Sequence, residues 1–168
     1  MLETWTLSDG VKVTIRPISA SDLALETEFV NGLSASTRYK RLMSSRKLSP
    51  DELKRFTDID YAKETALIAT IVDSGRERQI GVARYVKSLD NPGEAEFAIV
   101  IADEWQARGL GLQLSGHLIQ AAKAEGLRQL VATTLSENEP MLAIARRLGF
   151  RVTLDSRTSS ISNLTLQL

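Results

Sequence analysis

An alternating apolar run from Ala95 to Ile101 gives way to a helical pattern from Leu110 to Ala122. Alternation places side chains on the two faces of a strand, whereas recurrence every three or four residues marks one helix face. The same two periods order the rest of the chain. Thr4 to Leu7 and Val11 to Ile18 flank Ser8-Asp9-Gly10 and predict a hairpin. Leu25, Phe29 and Leu33 stand four apart and predict a helix starting near Ser21. The polar, basic stretch from Ser34 to Lys47 predicts a short helix and a loop. Ser49-Pro50-Asp51-Glu52 reads as a capping box that opens a helix through Leu53 and Phe56.

Three strands are expected next, about Glu64 to Val72, Gln79 to Lys87 and Glu94 to Ile101. Asp73-Ser74-Gly75 and Asp90-Asn91-Pro92-Gly93 separate them, so they should form an antiparallel meander. A helix from Gly109 to Glu125 stops at Gly126, and Gln129 to Leu135 is a strand. Ser136 to Pro140 opens another helix, with Met141, Leu142, Ala145 and Leu148 on one face and Gly149 at its end. Two short strands close the chain, about Phe150 to Leu154 and Ile161 to Leu168. The strand–helix–strand unit from Glu94 to Leu135 demands a parallel pair. The expected class is therefore α+β: a mixed, mostly antiparallel central sheet with one parallel neighbour pair, flanked by helices.

Composition removes several functions. The 168 residues match one ordinary domain, and residues 1–168 are expected to form one. Twenty-one basic and twenty-one acidic side chains balance, which argues against a dedicated nucleic-acid binder. No cysteine is present, which excludes disulfides, thiolate zinc sites and cysteine nucleophiles; with a single histidine, no metal site is expected. The N-terminus has neither a basic segment nor a long apolar run, so no signal peptide is expected. No stretch approaches the roughly 20 apolar residues of a membrane helix. A soluble, cytoplasmic protein that binds neither nucleic acid nor membrane is expected, as a monomer or homodimer.

The candidate chemistry lies in Gln106-Ala107-Arg108-Gly109-Leu110-Gly111, between the strand and the helix. Glycine lets backbone approach a ligand, and a helix N-terminus offers unpaired N–H groups and partial positive charge. Together they suit a pyrophosphate. A dinucleotide fingerprint needs G-x-G-x-x-G after a strand of repeated βαβ units, but the third position is Leu114 and the lead-in is antiparallel. The phosphate-loop pattern G-x-x-x-x-G-K-[ST] is absent. A glycine turn without a ligand remains the plain alternative.

Gln106 to Gly111 resembles the [Q/R]-x-x-G-x-[G/A] motif of the GNAT superfamily of acetyl-CoA-dependent N-acetyltransferases. Asn138, followed by Ala145-Arg146-Arg147-Leu148-Gly149-Phe150, is similar to a second motif of that family, in the right order and at a fitting distance. The element order matches over essentially the whole chain. Ile15-Arg16-Pro17, Leu33 to Tyr39, Leu48 to Leu53, Asp58 to Tyr61 and Gly81 to Tyr85 resemble stretches in the acetyltransferase domain of bacterial Pat-type protein-lysine acetyltransferases. Those relatives usually carry a fused regulatory domain, and none is expected within these 168 residues.

The resemblance implies a sheet splayed at its parallel pair and a CoA site in the gap. Backbone N–H groups of Ala107, Arg108, Gly109, Leu110, Gly111 and Leu112, with Gln106, would cradle the pyrophosphate. Backbone of Ile99, Val100 and Ile101 would pair with the pantetheine arm, and one N–H would polarise the thioester carbonyl, an oxyanion-hole contribution of about 3 kcal/mol. A lysine amine of pKa about 10.4 needs a base before it can attack. Glu96 is the candidate, sharing a strand face with Ala98 and Val100, where partial desolvation would strengthen it as a base. Facing water at a strand edge is its ordinary alternative. Glu94 is the reserve, one pleat earlier.

Asn138 is placed to hydrogen-bond pantetheine while capping its helix. The position where many relatives carry a tyrosine acid is Ala145, so none is expected here; a thiol of pKa about 8.5 leaves without one. His117 and Trp105 read as packing residues. Arg146 and Arg147 are candidates for the CoA 3′-phosphate or a solvated helix face. Asp103 and Glu104 are expected to point away from the anion. Arg38, Tyr39, Lys40 and Arg41 read as a lip of the acceptor site or a basic surface. The expected activity is direct acetyl transfer in a ternary complex, with a protein lysine as acceptor. A small-molecule amine is one alternative, and a catalytically silent acyl-CoA-binding module another.

Overall fold

The computed structural model describes residues 2–42 and 47–168. Eight strands form one sheet in the order β1-β2-β3-β4-β5-β6-β8-β7. Here β1 is Glu3–Thr6, β2 Lys12–Pro17, β3 Glu64–Asp73, β4 Arg76–Lys87, β5 Glu94–Ile101, β6 Gln129–Leu135, β7 Arg151–Leu154 and β8 Ile161–Gln167. The expected hairpin and meander both form, and β5 and β6 are the parallel pair in an otherwise antiparallel sheet. β4 begins three residues before the alternation at Gln79, because Arg76 to Arg78 pair back across the turn with Asp73 to Ile71.

Helices α1 (Leu23–Asn31), α2 (Ala35–Leu42) and α3 (Pro50–Thr57) link β2 to β3. A 3₁₀ turn, Ala20–Asp22, precedes α1, and α1 ends before Leu33, which is buried in the following loop. The loop expected after α2 falls on residues 43–46, outside the described residues. The capping box of α3 is reciprocal: Glu52 N donates to Ser49 Oγ (3.2 Å), and Ser49 N donates to Glu52 Oε2 (2.8 Å). Helix α4 (Leu110–Ala124) links β5 to β6, and α5 (Glu139–Leu148) links β6 to β7. None of the described helices is long and apolar enough to cross a membrane.

Adjacent β4 residues show how the helices are placed. A Cβ on Gly81 would meet Leu114 of α4 at 3.4 Å, while Val82 lies with Val30 and Leu33 at the end of α1. Successive residues point to opposite faces of a strand, so α1 and α4 cover opposite faces. Both sides of β4 are covered for that reason, and Ile80 to Tyr85 are all buried, the charged Arg84 included.

The decisive feature is where pairing stops. The β5–β6 ladder contains only Glu94–Gln129, Ala95–Leu130 and Glu96–Val131. Beyond it β5 follows β4 as far as the Ile101–Gly81 pair, and β6 follows β8 as far as Leu135–Ile161. Each strand keeps its outer partner, so the sheet opens between them from Phe97 and Ala132 onward.

Candidate active site

The opening is a cleft of about 470 Å³. Glu96 to Ile101 form one wall, and Ala132 to Thr134 form the other. Gln106, Ala107, Gly109, Gly111 and Leu112 close its far end, α2 contributes Thr37 and Lys40, and α5 with its cap Asn138 contributes Met141, Ile144 and Arg147. On β5 the edge toward β4 is hydrogen-bonded, while the other edge of Ile99, Val100 and Ile101 has no strand beside it. Unpaired backbone polar groups at such an edge are a template for an extended ligand.

A 3₁₀ turn, Asp103–Trp105, leads from β5 to α4. Gly109 is the N-cap of α4 at φ 82°, and Ala107 is also left-handed at φ 59°. An alanine held there costs roughly 1–2 kcal/mol, and such strain persists where surrounding structure enforces it. The first helical bond is Gln113 N to Gly109 O (3.1 Å), which leaves Leu110, Gly111 and Leu112 N–H groups without an intrahelical acceptor. Gly111 is needed for a different reason. A Cβ there would lie 3.0 Å from Ile144 Cδ1, 3.7 Å from Ile101 Cγ1 and 3.8 Å from Ile99 Cδ1. It lets the first turn of α4 settle onto the cleft floor.

Side chains hold the turn in shape. Gln106 Nε2 donates to the Ile101 carbonyl (3.0 Å) and reaches Thr37 Oγ1 (3.4 Å). Arg108 turns away from the cleft, stacks on Trp105 at 4.7 Å and pairs with Asp9 of the β1–β2 turn (3.1 Å). The side chain of Leu110 is buried, and neither residue is among those lining the cleft. Asp103 accepts hydrogen bonds from Ser34 N (2.8 Å), Ser34 Oγ (2.8 Å) and Thr37 Oγ1 (2.6 Å) at the start of α2. Burial works against its ionisation, but these bonds outweigh burial and hold its carboxyl below the ordinary value. Glu104 pairs with Arg78. Both acids therefore point elsewhere, as expected.

Glu96 lies at the start of the gap, beside the last paired residues of β5 and β6. Its side chain is exposed, in place of the expected partial desolvation. Among the described residues it is the one carboxylate lining the cleft. Glu94 is engaged instead: Gln129 Nε2 (2.5 Å) and Asn91 Nδ2 (3.4 Å) donate to it. Asn138 caps α5 by accepting from Met141 N (3.4 Å), and its Nδ2 donates to Thr134 Oγ1 (3.2 Å). Ala145 is fully buried and carries no hydroxyl. Arg147 lines the cleft, whereas exposed Arg146 does not. His117 is paired with Glu3 of β1 (3.1 Å), away from the cleft.

The single apolar face expected for α5 is two. Leu142 and Ala145 enter the core, while Met141 and Ile144 line the cleft. Ile144 falls off the stripe that marks the core face, which was the available signal. Thr37 and Thr133 are also cleft residues that neither motif contains.

Three comparisons agree with this geometry. A family model described as an acetyltransferase (GNAT) domain matches residues 12–151. The Pseudomonas aeruginosa acetyltransferase PA5475 is 36% identical over 146 residues, which is 86% of this chain and 78% of that protein. The Mycolicibacterium smegmatis acetyltransferase Pat is 31% identical over 135 residues, 80% of this chain but 40% of Pat. The solved GNAT domain of S. lividans PAT superposes with a TM-score of 0.89 at 26% identity, covering 99% of this chain and 97% of that one.

Proposed function

The chain belongs to the GNAT acetyltransferases, and from that premise we propose that it transfers acetyl from acetyl-CoA to protein lysine side chains by direct attack in a ternary complex. The observation that carries this reading is the end of the β5–β6 ladder at Glu96–Val131, in front of the α4 N-terminus. A gap with strand-edge backbone along one wall and N–H groups at its end fits a long amide-containing ligand that terminates in pyrophosphate.

Acetyl-CoA supplies the activated acyl group as a thioester. The remaining work falls to this chain. Backbone N–H groups from Ala107 to Leu112 hold the pyrophosphate, while the Gln106 side chain keeps the turn closed. The free edge of β5 from Ile99 to Ile101 pairs with the pantetheine arm, and an N–H on that edge polarises the thioester carbonyl. Asn138 adds a hydrogen bond at the gap, and Arg147 meets the 3′-phosphate. Glu96 removes the proton from the acceptor amine, directly or through water. The exposure of Glu96 suits an acceptor presented on another protein's surface. With no tyrosine at position 145, the thiolate leaves unprotonated.

Support for a lysine acceptor comes from the likeness to Pat. The test is mass spectrometry of lysate proteins and a panel of small amines after incubation with this protein and acetyl-CoA. New acetyl-lysines are expected with wild type and not with Glu96→Gln. Acetylation of small amines alone moves the acceptor to that class. Acetyl-CoA binding without any transfer marks a silent binding module.

A further inference from the structure

Of the seven lysines in the chain, Lys40 alone lines the cleft. It is half-buried, whereas Lys12, Lys47, Lys54, Lys63 and Lys123 are exposed. Lys63 pairs with Asp60 and Lys87 with Glu125. Among the described residues, no hydrogen bond or ion pair to another residue holds the Lys40 ammonium.

Its position is set by α2. The start of that helix is tied to Asp103, and Thr37 also meets Gln106, so α2 is anchored to the turn before α4. The helix then packs against both β5 and β6, bridging the strands that part. Lys40 follows Thr37 at i, i+3, on the same helix face, about 5 Å farther along the helix axis, and both line the cleft. A flexible four-carbon stem thus carries a primary amine from the wall of the cleft that Glu96 also lines.

We propose that the protein acetylates itself at Lys40. The inference rests on acetyl-CoA occupying this cleft. Glu96, or water, takes a proton from the Lys40 ammonium. The freed amine attacks the thioester carbonyl carbon, a C–N bond forms, and the C–S bond breaks with its electron pair on sulfur. The thiolate then takes up a proton. The products are Nε-acetyl-lysine at position 40 and CoA thiol. The cleft lining loses one positive charge.

The test uses the full chain with acetyl-CoA and no acceptor, at two protein concentrations tenfold apart. Mass spectrometry reads acetyl occupancy at all seven lysines, calorimetry reads acetyl-CoA binding, and acetic anhydride gives the ranking set by exposure alone. Expected is occupancy at Lys40 at least tenfold above Lys12, Lys54 and Lys63, with a first-order rate the same at both concentrations. Acetic anhydride should invert that ranking, Glu96→Gln should slow the labelling, and Lys40→Arg should abolish it. Binding with Lys40 labelled no faster than exposed lysines, or uptake unchanged in Lys40→Arg, overturns this inference and leaves the proposed function standing. A rate that scales with protein concentration overturns transfer within one chain. Failure to bind acetyl-CoA takes down both readings.

Discussion

Glu96 on β5 and Val131 on β6 are the last paired residues of the parallel strands. A carboxylate therefore stands where the sheet stops being continuous. Changing Glu96→Gln keeps size and strand pairing and removes the proposed base. General-base losses typically span about 10²–10⁴-fold, and kcat/KM should fall within that range. Affinity for acetyl-CoA should stay within twofold of wild type. Thiol release and calorimetry measure the two quantities, and equal turnover by the variant would dismiss Glu96 as the base.

The two glycines of the motif should fail differently. At Gly109 an added Cβ meets nothing within 4 Å, so the penalty is the left-handed backbone alone, about 1 kcal/mol. Gly109→Ala should lower Tm by about 3 °C at this chain length. At Gly111 the Cβ presses on the movable tip of Ile144, while alanine gains about 1 kcal/mol in a helix. Gly111→Ala should leave stability within about 1 kcal/mol of wild type and weaken acetyl-CoA binding at least tenfold. Thermal unfolding and calorimetry separate these outcomes.

Asn138 combines a helix cap with an amide donor at the gap. Asn138→Ala should cost about 1 kcal/mol of stability through the lost cap and also raise KM for acetyl-CoA. Asn138→Asp keeps an acceptor for Met141 N but loses the Nδ2 donor, so this second variant should recover stability and not affinity. Urea unfolding and the KM for acetyl-CoA read the two effects, and recovery of both means that Asn138 only caps the helix.

Acid sensitivity should centre on Arg16 and Asp22, which join β2 to the start of α1. Arg16 Nη1 and Nη2 donate to the two Asp22 oxygens at 2.9 and 2.8 Å. The Arg16 hydrogen bonds hold the buried Asp22 carboxyl below its ordinary 3.8. A carboxyl with a lowered folded value stabilises fully above its unfolded value, and the contribution disappears as pH falls through the folded one. Wild type should therefore exceed Asp22→Asn by about 2 kcal/mol at pH 7, with the difference shrinking only below about pH 4. Urea unfolding across that range checks it.

Local chemistry made much of this fold legible. Turn residues, the Ser49 cap and two hydrophobic periods place the elements within a few residues, and the two motifs locate the cleft. What escaped depends on distant partners. The three-residue ladder reflects β5 staying with β4 and β6 with β8, a competition invisible in either strand. Arg108 turns toward Asp9, ninety-nine positions earlier in the chain. The exposure of Glu96 depends on what fails to cover it, and Ile144 serves a second face that a single stripe conceals.

Asp103 has a thermodynamic consequence. Its carboxylate ties the first turn of α2 to the turn that opens α4, so in the proposed function a wall of the cleft and the proposed donor cradle share one mechanical joint. A shift at either end is transmitted through that joint as a coupling free energy, equal in both directions. Donor and acceptor should then each tighten the other's binding by the same factor. Asp103→Ala should bring that factor toward one, turning an interdependent pair of binding events into two independent ones.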